Sequence, residues 1–130
     1  MKEIKAIEPV YIEKYDIKIN RYLTYAQIQQ IVEAIKSLGS WSEREQAIDM
    51  LMLYHATDAK AEELEKIGHD TLLESGLIDT VRQNVLNIGE VYEAIDYTES
   101  IQRSLAIIVK ELPKYFEPLE KVIKKHGNKT

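Results

Sequence analysis

The chain has 130 residues, of which 45% are hydrophobic and 30% charged, the size and composition of one globular domain able to bury a core without a metal or disulfide staple. It contains no cysteine, which excludes disulfides, thiolate zinc sites and cysteine nucleophiles and fits a reducing compartment. The net charge of −5 is concentrated in residues 43–99, where fourteen acids face four bases, a balance that repels nucleic acid and favours cationic partners.

The first twenty residues read as β. Tyr11, Glu13, Tyr15, Ile17 and Ile19 alternate with Ile12, Lys14, Asp16, Lys18 and Asn20, a period of two with aromatic and β-branched residues on one side. Glu3 to Ile7 is a shorter candidate strand, and Pro9 separates the two. Thr24-Tyr25-Ala26-Gln27 forms a capping box, with Leu23 and Ile28 placed as a hydrophobic staple. The stripe Ile28, Ile31, Val32, Ile35 and Leu38 follows, and Gly39 is expected to close that helix in the left-handed conformation.

Ser42-Glu43-Arg44-Glu45 reads as a second capping box, opening a helix through Ala47, Ile48, Leu51, Met52 and His55. Met50, Leu53 and Tyr54 widen its apolar arc so far that the helix should lie centrally in the core. Asp58 is placed to cap a short helix to Ile67, ended by Gly68, and Asp70 or Thr71 to start another that stops at Ser75-Gly76. Leu77, Ile78, Val81, Val85 and Leu86 repeat helically up to Ile88-Gly89. A long helix is expected from about Glu90 to Leu112 through Val91, Ala94, Ile95, Thr98, Ile101, Leu105 and Ile108, with Pro113 ending it. Pro118 fits the first turn of a last helix bearing Leu119, Val122 and Ile123 and finishing at Gly127.

The fold predicted is therefore mainly α (α+β), a single domain over residues 1–130. A short β-hairpin or strand arm over residues 1–20 precedes a compact bundle of about five to six helices over residues 24–126. Two strands alone are marginal, so they must pack on the helices or pair with another chain. The longest apolar run, Leu105 to Val109, is far short of the roughly 20 residues that span a bilayer. With no apolar signal core after Met1-Lys2-Glu3, no membrane association is expected, and the location expected is the cytoplasm of a host cell or a virion.

Candidate chemistry is sparse. His69-Asp70 resembles the dipeptide of metal-dependent HD-type phosphohydrolases, for which His55 and Asp96 would have to supply the remaining ligands. A histidine at a helix terminus beside an N-cap aspartate accounts for the same residues without a metal. Glu62-x-x-Glu65 and Glu93-x-x-Asp96 each place two carboxylates on one helix face. The four positions resemble the ExxE…ExxD magnesium signature of MazG-type all-α nucleoside triphosphate pyrophosphohydrolases, which implies Mg²⁺ as cofactor and a triphosphate substrate. Read without the resemblance, they are a solvated acidic face. No glycine-rich phosphate loop or serine nucleophile motif is present. The basic end, with Lys121, Lys124, Lys125 and Lys129, reads as a solvated helix terminus, and binding of nucleic acid is not expected.

The segment Ile17-Lys18-Ile19-Asn20-Arg21-Tyr22-Leu23-Thr24-Tyr25, with Trp41-Ser42-Glu43-Arg44-Glu45 and Leu53-Tyr54-His55-Ala56-Thr57-Asp58, resembles small proteins of phages and prophages of Firmicutes over residues 15–60. The resemblance implies a virion, assembly or accessory component, and it transfers no functional residue. With the tyrosine-rich β segment as an amphipathic surface, it leads to a non-enzymatic protein acting through protein–protein contacts and self-association. Tyr11, Tyr15, Tyr22 and Trp41 are the contact residues expected, with no cofactor. The alternatives are the magnesium-dependent hydrolase and an inhibitor of a host defence or nucleic-acid-processing protein that works through its acidic surface.

Overall fold

A computed structural model describes residues 1–111. The final helix expected around Pro118, and the Leu112-Pro113 terminus expected of the long helix, lie outside the described residues. Two strands, β1 (Val10–Ile12) and β2 (Ile17–Ile19), precede six helices. These are α1 (Tyr25–Ile35), α2 (Trp41–Ala56), α3 (Ala61–Ile67), α4 (His69–Glu74), α5 (Leu77–Asn84) and α6 (Gly89–Glu111). The architecture is mainly α behind an antiparallel hairpin, as the patterning predicts.

The chain clusters into two compact units, residues 1–95 and residues 96–130. In the first, α2 lies at the centre and packs against α1, α3, α4 and α5, its wide apolar arc having sides facing several neighbours. Ile48, Met52, Leu53 and Ala56 are fully buried in it. Around them close Ile31 and Ile35 of α1, Ile78 and Val81 of α5, and Val91 and Ile95 of α6. In the second unit, Tyr97, Ile101 and Leu105 of α6 are exposed.

The hairpin departs from a continuous alternation. Glu13–Tyr15 forms a 3-10 turn and Asp16 takes a left-handed φ of 51°, so the chain reverses inside the run that reads as one strand. The reversal changes which side chains share a face: Tyr11 pairs with Lys18 on the outer side, and Val10 and Ile12 pair with Ile19 and Ile17 on the inner side. Tyr11 and Ile17, grouped by simple alternation, therefore point to opposite faces. The hairpin does not stand alone. The Asn20 amide donates to the Ala56 carbonyl (2.6 Å) and Ile19 bridges Thr57, so the end of α2 continues the sheet beyond β2. Asp58, expected to cap α3, instead accepts the Lys18 amide at 2.9 Å, and α3 begins without a side-chain cap.

Other boundaries shift for local reasons. The Thr24–Gln27 capping box forms with both bonds, at 2.9 and 3.1 Å. Yet α1 ends at Ile35 in turns, and Gly39 has no positive φ. Helix α2 starts two residues before the expected box. Ser40, three residues ahead of Glu43, accepts the Glu43 amide at 3.1 Å, so Trp41 belongs to the first helical turn rather than to a loop. Helix α4 begins at His69 after Gly68, not at an Asp70 or Thr71 cap. Helix α5 stops at Asn84, with Val85 extended and the Leu86 amide donating to Arg21. Gly89 consequently opens α6 instead of ending α5.

Candidate functional site

Of the residues expected to make contacts, Tyr11, Tyr22 and Trp41 are exposed, at 58%, 53% and 61%. Tyr15 is half-buried, and its hydroxyl donates to the Ser75 carbonyl at 2.7 Å, pinning the hairpin turn to the α4–α5 junction. That contact has a steric counterpart, since a Cβ on Gly76, which has φ +84°, would meet the Tyr15 hydroxyl oxygen at 3.1 Å. The Tyr11 hydroxyl donates to Asp16, a hydrogen bond that lifts the phenol above its ordinary pKa. The Tyr22 hydroxyl reaches Glu90 at 3.5 Å.

The four side chains do not form one patch. Gln27 of α1 donates to the His55 carbonyl at 3.4 Å, so the start of α1 sits beside the end of α2. Tyr22, Tyr25 and Tyr54 belong to that end, next to the hairpin. Trp41 belongs to the opposite end of α2, about 22 Å away at 1.5 Å per residue. No described aromatic residue is buried; the core is built of Ile, Leu, Val, Met and Ala. Tyr25, Tyr54 and Tyr97 add to the exposed set. Aromatic rings ordinarily supply much of a core's buried area, so their placement outside it is the clearest surface feature of the protein.

A second constellation escaped the sequence reading. Asp49, one of three buried polar residues among those described, lies within the apolar arc of α2. One carboxylate oxygen accepts from His69 Nε2 of α4 at 2.8 Å, and the other meets the Arg82 guanidinium of α5. Arg82 also donates to the Tyr92 hydroxyl of α6 at 2.8 Å, and Tyr92 donates to Glu45 of α2 at 3.2 Å. Burial works to lower the pKa of Arg82, but its bonds with Tyr92 and Asp49 outweigh this and hold it raised. Burial raises the Tyr92 phenol. The chain of contacts ties four helices together and occupies both Asp49 oxygens. His69 Nδ1 is buried with no hydrogen-bond partner, and the Asp70 carboxylate stands 3.8 Å from it in solvent. A histidine whose second nitrogen is sealed from solvent has no route to a substrate proton, so the geometry suits a structural clasp. The one signal in the sequence is an acid set between Ile48 and Met50 where every neighbouring position in the arc is apolar.

Glu62 and Glu65 lie exposed on α3, which has only seven residues, and Glu93 and Asp96 are exposed on α6. His55 is half-buried at the end of α2, in edge contact with the Tyr54 ring at 5.0 Å. Among the described residues, no three His, Asp or Glu side chains are grouped so as to hold a metal ion. None of the described helices is long and apolar enough to cross a membrane. The chain matches no protein-family model, no curated protein and no solved structure.

Proposed function

We propose that this protein is a non-enzymatic accessory or assembly component of phage type, acting through protein–protein contacts and self-association. One observation carries the reading: no described aromatic side chain is fully buried in the aliphatic core, and Tyr11, Tyr22, Tyr25, Trp41 and Tyr54 are all more than half exposed. Interface centres are enriched in tyrosine and tryptophan, which bury large area at low entropic cost. The phage setting rests on the resemblance over residues 15–60 alone.

Light scattering across a concentration series tests it. An oligomer is expected, and Tyr22→Ala or Trp41→Ala should weaken association by tenfold or more, the size of one good aromatic anchor at about 2 kcal/mol. A monomer at all concentrations, unchanged by either substitution, would end the self-association reading. A gene neighbourhood of capsid and tail genes would support the assembly role.

A further inference from the structure

A cleft of about 470 Å³ lies between the N-terminal segment and the turn that enters α1, lined among others by Lys5, Ile7, Asn20, Arg21, Tyr22 and Gln27. Arg21 is half-buried, and its Nε is closed to solvent with no hydrogen-bond acceptor. Among the described residues, neither Arg21 nor Lys5 has a carboxylate partner. Glu90, which the Tyr22 hydroxyl reaches, also accepts from Asn87 at 3.3 Å and leaves the guanidinium unpaired. No acidic residue lines this cleft, in a chain of net charge −5.

Arg21 lines the cleft with no carboxylate to neutralise it, and a guanidinium without a counter-anion is a ready donor to the oxygens of a ligand. Arginine's fork matches the oxygens of phosphate or carboxylate. Charge favours phosphate, since a phosphate monoester carries about −1.5 to −2 at neutral pH, close to the sum of Arg21 and Lys5, whereas a carboxylate carries half that. The volume falls within the range of about 300–1,000 Å³ typical of small-molecule sites, more than a bare phosphate needs. Ile7 and the Tyr22 ring offer an apolar wall for an organic group.

We propose that this cleft binds a small phosphate monoester, its dianion held by Arg21 and Lys5 and its organic group set against Ile7 and Tyr22. The site shares Tyr22 with the self-association reading, but Arg21 and Lys5 belong to the cleft alone, so their substitutions separate failure of one from failure of the other.

Phenyl phosphate is the probe, titrated into the full chain by calorimetry at low salt, with benzoate, phenol and inorganic phosphate as comparators. Phenyl phosphate should bind with a Kd below about 1 mM and more tightly than each comparator. Arg21→Met, which keeps the aliphatic stem, should weaken binding tenfold or more and leave the melting temperature unchanged or raised. Lys5→Gln should weaken it about threefold, as loss of a more exposed charge does. The proposal is overturned if phenyl phosphate does not bind at about 10 mM, if benzoate or inorganic phosphate binds as tightly, or if Arg21→Met binds normally. It is equally overturned if Arg21→Met melts well below the parent, because the arginine would then be a structural element.

Discussion

Asp49 holds a cation from α5 and an imidazole from α4 at the centre of an aliphatic core, with only 10% of its side chain exposed. Its removal leaves the Arg82 guanidinium and His69 without their shared acceptor. Breaking a buried pair from one side costs about 3–5 kcal/mol, so Asp49→Ala should lower the unfolding free energy from urea titration by an amount in that range, reduced somewhat because Arg82 is 29% exposed. A change below about 1 kcal/mol would show that the clasp contributes little. His55 offers a pH readout of opposite logic. Burial lowers its pKa from the ordinary 6.5, so the folded state favours the neutral ring and the unfolded chain binds more protons. Its contribution is present above pH 6.5 and is lost as the pH falls through the folded-state value. Denaturant titrations at about pH 7.5 and pH 5 should find the parent losing more stability than His55→Gln. Equal losses would remove His55 from the account.

At the scale of elements, local sequence predicts helix existence well and helix ends less well. The Thr24–Gln27 box and the stripe from Ile28 to Ile35 form as their spacing requires, because cap and stripe lie within a few residues of each other. Ser40 and Ser42 show the limit. Ser40-x-x-Glu43 and Ser42-x-x-Glu45 share one pattern, and the structure uses the first. Arg44 Nε donates to the Leu38 carbonyl at 3.0 Å, a bond across the α1–α2 turn that accompanies the earlier start. Ser40→Ala should therefore cost about 1 kcal/mol by thermal denaturation and Ser42→Ala less than about 0.5 kcal/mol. The reverse order would restore the later start. Asp58 and Leu86 fail as local readings for a related reason: the Asp58 carboxylate accepts the Lys18 amide and the Leu86 amide donates to the Arg21 carbonyl, partners distant in sequence. Asn87 makes the same point from the α5–α6 link. Its side chain donates to the Leu23 carbonyl and accepts the Leu23 amide, both at 2.9 Å, across 64 residues.

Across residues 1–95, the hairpin is part of the core rather than an arm awaiting a partner. Ile19 is fully buried and Ile17 nearly so, while Tyr11 on the opposite face is 58% exposed. Ile19→Ala should lower stability by about 2–5 kcal/mol in one cooperative transition, whereas Tyr11→Ala should stay near 1 kcal/mol or below. Comparable effects for both would mean that the two faces of the hairpin are equally packed. The same architecture sets what the surface offers. Because the aliphatic side chains fill the interior, Tyr22, Tyr25 and Tyr54 are left exposed towards one end of α2 and Trp41 at the other.

What the sequence determined by itself is the α-rich class, a short β segment at the front, the central place of α2 and the aliphatic stripes, all properties of periodicity and caps within a few residues. Only the tertiary structure decided which face Tyr11 takes, since that turns on a reversal at Asp16. It also decided that Tyr15 spends its hydroxyl on Ser75, that Asp49 joins α2 to α4 and α5, and that Arg21 stands unpaired beside Lys5 in a cleft. The Tyr15 and Asp49 contacts depend on groups twenty to sixty residues apart meeting in a close-packed interior, where a polar atom is stabilised by whatever partner the packing brings.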